Sequence, residues 1–377
     1  MALTIRPFES GDEEGFWRVG DLTYNNGIPT PPEKRVLKNR RGFVAVLDGE
    51  IAGIFSVVDF TCTREATANL KCAGIAGVAV SPSNRHLGIG SEMMRWSIPY
   101  LKSEGYQIAS LYGFRESFYR KFGYEACGLR LEIEAPSHRF PRLKPELTPR
   151  TLDWQNHAPL QACQTAFANR YSGMNIRNDM HWSRVLDDKK TIYAVGDPVE
   201  AYAIVQHDWD FWVTQRINEV AWSTIRGYRS IVAVLSQIGI NKTSLVWYEP
   251  SDSPFLQFYT DQGIIAKSSR PIMYRLLDVP GAFSSLEGVA AGAFSFEVRD
   301  ELLPENSGPW RVESDAKSVT CARVDSADLT GSIQSWTQAY LGDPGIERGA
   351  IEERESGALT AARAVLPATR AYCMEFF

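Results

Sequence analysis

Arg85-x-x-Gly88-x-Gly90 follows an apolar run, Val78-Ala79-Val80, that stops at Ser81-Pro82, and a helical pattern begins immediately behind it. Each of these residue types has a chemical use. Pro82 cannot continue a sheet ladder, so a strand ends there. Gly88 and Gly90 carry no Cβ and let another molecule approach the backbone. The first amides of the following helix have no intrahelical acceptor and carry the positive end of its dipole. Together they suit a phosphate or pyrophosphate, and Arg85 adds a fixed cation. Two better-known phosphate motifs are excluded. A Walker loop ends in Gly-Lys-Ser/Thr, whereas Gly90 is followed by Ser91-Glu92, and the three-glycine spacing of a dinucleotide fingerprint is missing. Alone, such a turn is also an ordinary way for a strand to hand over to a helix, so its surroundings must decide.

Downstream the pattern predicts a helix over 89–103 and a strand over 107–112, followed by Ser117-Phe118-Tyr119-Arg120-Lys121-Phe122-Gly123-Tyr124-Glu125. Upstream, apolar runs at 43–47 and 51–60 flank Asp48-Gly49, a strong hairpin signal. This order resembles that of the GNAT (Gcn5-related N-acetyltransferase) superfamily. Arg85-x-x-Gly88-x-Gly90 matches that superfamily's acetyl-CoA pyrophosphate loop in full, and Phe118 to Tyr124 is similar to its F-Y-x-K-x-G-F/Y helix.

The resemblance implies acetyl-CoA as cosubstrate and no metal. It assigns backbone contacts with the pantetheine arm to Val78, Ala79 and Val80, and the pyrophosphate cradle to Arg85, His86, Leu87, Gly88, Ile89 and Gly90. The side chains of Val78 and Val80 can serve the core at the same time. It also implies that Tyr119 is the general acid, protonating the CoA thiolate as the tetrahedral intermediate collapses. A thiol near ~8.5 and a phenol near ~10 make that transfer uphill by about 2 kcal/mol. The step therefore needs a nearby positive charge, such as a helix dipole or Arg120, or must be concerted with C–S cleavage. Tyr112 and Tyr124 remain alternatives, as does a purely packed Tyr119.

The 377 residues suggest two or three domains. No apolar run approaches the ~20 residues of a membrane span, and the start Met1-Ala2-Leu3-Thr4-Ile5-Arg6 has no signal-peptide pattern. Six cysteines, at 62, 72, 127, 163, 321 and 373, are scattered without a C-x-x-C pair or a His cluster. Neither structural zinc nor a disulfide framework is expected, and a reducing cytoplasm is the expected location. A net charge of −5 gives no nucleic-acid footprint and suits a cationic substrate.

Three segments follow: 1–135, 136–279 and 280–377, the first boundary marked by Pro136 and the Pro/Arg/Lys-rich stretch 139–149. The second reads as a degraded copy of the first. A hairpin at 191–195 and 199–206 is joined by Gly196-Asp197-Pro198, with a strand at 218–222, a helix at 230–240, a strand at 244–248 and a short helix at 255–262. Its turn at 223–229 lacks paired glycines and reads as non-binding. In the third segment 294–298 alternates like a strand, 304–310 is a turn, 329–340 reads as a helix and 371–377 as a final strand.

With Leu341-Gly342 and the terminal phenylalanine, this layout is similar to the enhanced intracellular survival (Eis) acetyltransferases. The fold class implied is α+β or α/β: two tandem GNAT folds with mixed central sheets flanked by helices, plus a sterol-carrier-like domain. In that family the C-terminal carboxylate enters the N-terminal active site, which casts Phe377 as the catalytic base. The ending alternates, with Tyr372, Met374 and Phe376 on one face and Cys373, Glu375 and Phe377 on the other. Burial of Phe376 and Phe377 would fix the carboxylate. A carboxylate near ~3.5 cannot strip an ammonium of ~8–10 directly, at a cost of about 6–9 kcal/mol. It would instead hold the amine, relay protons through water or deprotonate the zwitterionic intermediate.

Trp17, Tyr24 and Asn25, with Asn26, fall on the first helix and its loop, where GNAT enzymes line the acceptor side. They are equally consistent with an ordinary helix face. Pro99 lies within the helix behind the cradle, away from its cofactor end, and should kink it. The resemblance implies a small polycationic amine such as an aminoglycoside as acceptor, a homo-oligomer of hexameric form, and neither nucleic-acid nor membrane partners. Two other readings stay open: acetylation of a protein lysine or N-terminal amine, and a non-catalytic CoA or lipid sensor.

Overall fold

The computed structural model describes residues 2–259 and 263–377. The first unit contains β1 (Leu3–Pro7), α1 (Glu13–Tyr24), β2 (Arg41–Leu47), β3 (Glu50–Arg64), β4 (Ala68–Val80), α2 (Ile89–Ser103), β5 (Ile108–Tyr112), α3 (Glu116–Arg120) and β6 (Glu125–Ala126). Asp48 and Gly49 both take positive φ, 49° and 91°, which is the twist a two-residue hairpin between β2 and β3 requires. Most of β3 is buried, as expected for a strand covered on both faces. Against this sheet α2 turns Ile89, Met93, Met94, Ile98 and Leu101, one apolar stripe at helical spacing. The helix continues through Pro99 to Ser103.

The second unit contains β7 (Arg130–Pro136), β8 (Pro149–Leu152), α4 (Gln161–Ala168), β9 (Ser172–Ile176), α5 (Asp179–Val185), β10 (Lys190–Val195), β11 (Ala201–Gln206), β12 (Thr214–Arg216), β13 (Glu219–Trp222), α6 (Ile225–Ile238), β14 (Ser244–Pro250), α7 (Pro254–Phe258) and β15 (Ile265–Ser269). The helix expected at 255–262 corresponds to α7, and residues 260–262 lie outside the described residues. The helix expected from Ser230 begins five residues earlier, because Thr224 caps it by accepting from the Gly227 amide. Glu200 occupies that helix start, accepting from Thr224 Oγ1 at 2.6 Å and from Arg226 at 2.8 and 2.5 Å. The chain's own carboxylate thus sits where a phosphate would be held in the first unit.

The sheets exchange strands, which the segment boundaries at 135 and 279 do not anticipate. The first sheet has the order β1-β2-β3-β4-β5-β16-β6, where β16 is Ile272–Leu276, and β9 joins the far end of β3. Conversely, β7 leaves the first unit at Gly128 and pairs with β14 and β15. A strand's alternation says which face is buried but not which neighbour it pairs with, so this crossover has no local signature.

The third unit contains α8 (Val279–Ser284), β17 (Gly292–Arg299), β18 (Gly308–Ser314), β19 (Val319–Arg323), β20 (Leu329–Ser332), α9 (Ile333–Leu341), β21 (Ile351–Glu353) and α10 (Ala358–Val365), with sheet order β19-β18-β17-β20-β21. The helix expected over 329–340 is a strand and a helix. Leu329 to Ser332 pair in parallel with β17, and Ser332 then caps α9 through the Ser335 amide. Residues 371–377 form no ladder beyond one bridge from Ala371 to Ser172; the tail is extended between the units and held by side chains. No helix among the described residues is long and apolar enough to cross a membrane.

Buried arginines of the first sheet fasten the third unit to it. Arg64 donates to the carbonyls of Tyr340 and Pro367 at 2.6 and 2.8 Å. Arg275 on β16 donates to both oxygens of Asp300 at 2.7 and 2.9 Å, both side chains being 1% exposed. Gly123 makes room for that guanidinium, since a Cβ there would lie 1.5 Å from Arg275 Nη1, and its φ of +79° favours glycine as well. Asp300→Ala leaves a buried cation unpaired and should cost roughly 3–5 kcal/mol. Urea unfolding measures this, and a loss below about 1 kcal/mol would remove the pair from the account of how the units hold together.

Candidate active site

The site forms where two strands part. β4 and β5 pair in parallel from Cys72 opposite Ile108 to Ile75 opposite Leu111, and no further. Beyond that point β5 continues to pair on its other edge, where the Gly113 amide donates to the Pro271 carbonyl in register with β16. On the other edge of β4 the register with β3 slips between Ile54 and Ser56, and Gly77 takes φ +61°. The carbonyls of Val78 and Val80 therefore accept from side chains, Val78 from the Tyr24 hydroxyl at 2.8 Å and Val80 from Arg85 Nε at 3.3 Å. Ala79 is buried in the core beneath α1.

At the open end of β4, residues Pro82–Leu87 make a 3₁₀ turn, and Gly88, at φ +74°, starts α2. A Cβ on Gly88 would meet nothing within 4 Å, and one on Gly90 would reach Val80 Cγ2 at 3.6 Å and Phe118 Cζ at 3.7 Å. Arg85, His86, Leu87 and Gly88 are exposed, while the Ile89 side chain is buried, so Ile89 can offer only its backbone. An exposed turn with outward amides and a guanidinium on its rim fits a pyrophosphate. Among the described residues no group of three or more His, Cys, Asp or Glu could hold a metal ion.

Phe118 brings α3 beside the cradle, which puts Tyr119 next to the splay. Its ring packs edge-on against Phe114, Phe118 and Tyr124 and is 2% exposed. Burial first, then the neighbouring Tyr24 phenol, holds the Tyr119 hydroxyl above the ordinary phenol range. The positive charge expected from Arg120 is engaged elsewhere: its guanidinium meets Glu116 at 2.9 Å and Glu125 at 2.8 Å. Tyr124 is fully buried behind Tyr119 with an unpartnered hydroxyl, and Tyr112 lies against Phe376 and Arg130.

Between α1 and the strands β3 and β4, bordered by Gly77, lies a cavity of about 520 Å³. Trp17 and Tyr24 line it, as anticipated; Asn25 does not, and its side chain instead donates to the Ile28 carbonyl at 2.5 Å. Ser56, Phe60 and Gly77 form the floor, and the second unit supplies His181, Arg184 and Asp187. His181 Nδ1 accepts from the Asn178 amide at 3.2 Å, so its Nε2 carries the proton that meets the Asp59 carbonyl at 2.7 Å. A neutral ring satisfies both bonds, and burial holds its pKa below the ordinary value.

The tail closes this cavity. Phe377 is buried against Phe60, with ring centroids 5.0 Å apart, and over Gly74, where a Cβ would lie 3.0 Å from its ring. Phe376 is not buried: it is 80% exposed, lines the cavity and touches Tyr112 of β5 at 5.1 Å. Phe377 thus lies over the sheet within the paired stretch of β4 and β5, and Phe376 lies against Tyr112, one residue past its end. Glu375 also lines the cavity, and its Oε1 accepts from Arg177 Nε at 2.8 Å. Arg177 is itself buried, stacked on Trp182 and bidentate to Glu219 at 2.7 Å, while Tyr202 donates to Glu219 as well.

Sequence reasoning missed Arg177, His181, Arg184 and Glu219, and saw Glu375 only as one face of an alternating tail. These residues come from α5, the loop before it, β13 and the C-terminus, and no spacing along the chain joins them.

Comparison with known proteins agrees with this geometry. Residues 4–127 match the family model of an acetyltransferase (GNAT) domain, and residues 279–374 match that of a sterol carrier protein domain. An uncharacterized N-acetyltransferase of Streptomyces coelicolor is 26% identical, over 96% of this chain and 96% of that protein. N-acetyltransferase Eis of Mycobacterium tuberculosis is 24% identical, over 91% of this chain and 90% of that one. Among solved structures, a GCN5-related N-acetyltransferase from Anabaena variabilis superimposes with a TM-score of 0.88 at 16% identity, covering 100% of both chains. Eis1 from Mycobacterium abscessus does so with a TM-score of 0.77 at 20% identity, again covering 100% of both. At these identities the solved structures speak for the fold.

Arg177→Met would leave Glu219 and Glu375 buried without their cation. We expect a loss of roughly 3–5 kcal/mol and a tail that carboxypeptidase trims readily. Unchanged stability and an uncut tail would mean that packing alone holds the C-terminus.

Proposed function

Residues 4–127 form a GNAT acetyltransferase domain within an N-acetyltransferase of Eis-like build, and from that premise we propose direct transfer of acetyl from acetyl-CoA to the amine of a small molecule. The observation that carries this reading is the fork itself. The parted end of β4 leads to a pyrophosphate-sized turn at Gly88 and borders, at Gly77, a cavity of about 520 Å³, with Tyr24 on the Val78 carbonyl and Phe376 against Tyr112.

The residues divide the work as follows. Amides at 88–90 and the Arg85 guanidinium hold the pyrophosphate, and the backbone of Val78 and Val80 aligns the pantetheine arm along β4. That alignment requires the Tyr24 hydroxyl to leave or share the Val78 carbonyl. The amine enters from the cavity, next to Glu375 and the terminal carboxylate. Either carboxylate can orient the ammonium and take its proton through water, but neither can strip it directly: the gap to a carboxylate is about 6–9 kcal/mol.

Tyr119 supplies the proton for the departing thiolate. Its raised pKa keeps the phenol protonated throughout the neutral range. The same shift makes full proton transfer to a free thiolate uphill by more than about 2 kcal/mol. Since Arg120 is tied to two carboxylates, the proton must move as the C–S bond breaks. A cavity of about 520 Å³ has the size of a small-molecule site. A polycation such as an aminoglycoside would find Glu375 and the terminal carboxylate, but would also meet Lys38, Arg40 and Arg184 in the same wall.

Thiol release from acetyl-CoA in the presence of amine acceptors tests the assignment. Tyr119→Phe and deletion of Phe377 should each lower kcat at least ~10²-fold, the scale of losing an acid or base. Acetyl-CoA affinity, measured separately by calorimetry, should remain near that of the intact protein. Full turnover in the tyrosine variant would remove the phenol from the mechanism, and full turnover without Phe377 would remove the terminus.

A further inference from the structure

Charges of both signs line the cavity, but they are not equally satisfied. The carboxylates have partners: Asp187 lies 3.2 Å from Lys190, and Glu375 lies 2.8 Å from Arg177. The cations do not. Among the described residues Lys38, Arg40 and Arg184 have no carboxylate within ion-pairing distance, and Arg184 Nη1 is buried without any hydrogen-bond partner. His181 contributes no charge, because its two hydrogen bonds fix the neutral ring. Arg40 and Arg184 are close enough to repel: burial, then Arg40, lowers the Arg184 pKa to about 10.

Two like charges left together, one with an unsatisfied buried donor, are costly in the free protein. A bound oxyanion would remove both costs, since a guanidinium fork matches the two oxygens of a carboxylate or phosphonate. Glu375 is near enough to Arg184 to offset part of that repulsion, but its carboxylate is held by Arg177, and beside it on the tail Phe376 lies against Tyr112 of β5. Apolar side chains, including Phe16, Trp17 and Leu186, also line the cavity.

We propose that the acceptor is a zwitterion: an amine joined through a short apolar spacer to a carboxylate or phosphonate, with Arg184 and Arg40 taking the anion while the amine faces the fork. This rests on the transfer reading above and narrows it to an acceptor class opposite in character to a polycation.

The test compares ω-amino acids and ω-aminoalkylphosphonates with the matching alkylamines and with an aminoglycoside. Binding is read first, by calorimetry on CoA-saturated protein with the N-acetyl products. The acetamido acids should bind at least ~10-fold tighter than the neutral acetamides, the scale of one hydrogen bond to a charged group. In turnover, kcat/KM for the amino acid over that for the alkylamine should show the same preference. Arg184→Gln should bring both ratios close to one, and Arg40→Gln, made in parallel in case the first variant misfolds, should reduce them. Carboxylate and phosphonate series differing in affinity would say which oxyanion fits better.

Equal binding of charged and neutral products, preference for the aminoglycoside, or ratios unmoved in both variants would each overturn the proposal. Anion-dependent binding without any acetyl transfer would sustain the oxyanion site at Arg184 and Arg40 and sink the transferase reading, and with it the ligand's role as acceptor. Transfer without anion preference would do the reverse.

Discussion

Parallel pairing between β4 and β5 lasts for four residue pairs and then stops, and the rest of the site is arranged around that break. A central strand that leaves its ladder must satisfy its amides and carbonyls in another way. Here Val78 takes the Tyr24 hydroxyl and Val80 takes Arg85. Each substitute is a side-chain contact that can be exchanged for a ligand. A sheet that closed fully would have no such groups to offer, and a sheet opened without substitutes would carry unpaired polar atoms. The slip between Ile54 and Ser56 and the positive φ of Gly77 bend β4 away at the point where the opening is needed.

The C-terminus ends beside the same fork. Phe377 packs over Gly74 just inside the paired stretch and Phe376 against Tyr112 just past it, on a tail that no ladder holds. The hold is ionic: Arg177 between Glu219 and Glu375, with Tyr202 closing the set. Two carboxylates against one guanidinium leave an excess negative charge in a buried place, which on its own is unfavourable. Glu375 escapes part of that cost because it borders the cavity and is not sealed in the core. An incoming ammonium would complete the balance, so the group that anchors the tail also has a reason to attract the acceptor's amine. Strand exchange serves the same end. Because β9 joins β3, Arg177 and α5 immediately after it stand over the first sheet, and the second unit furnishes one wall of a site whose chemistry belongs to the first.

What could be read along the chain was whatever is contiguous in it. The cradle, the hairpin at Asp48-Gly49, the extent of α2 and the place of Tyr119 all depend on residues within a few positions of one another, and local sterics decide them. Trp17 and Tyr24 were legible because a helix repeats its face, while Asn25, one position further, turns back onto its own loop. The strand at 329–332 was misjudged for a related reason. The helical pattern of 333–341 follows it directly, and only the pairing with β17, more than thirty residues earlier, extends it. The insertion of β16 between β5 and β6 and the meeting of Arg177 with Glu375 across 198 residues are of the same kind, set by tertiary partners that no periodicity announces.

The electrostatics of the cavity show why composition was a poor guide to the acceptor. A chain with a net charge of −5 suggests affinity for cations, yet that excess is spread over a surface where ion pairs and salt largely screen it. Inside the cavity a few groups decide. Asp187 and Glu375 there have Lys190 and Arg177 at ion-pair distance, whereas among the described residues Arg40 and Arg184 have no carboxylate so close. Partial burial strengthens what the two guanidiniums feel, both their mutual repulsion and their attraction for an anion. The sign of a binding site is therefore set by which of its charges lack partners, and in this cavity those are the arginines.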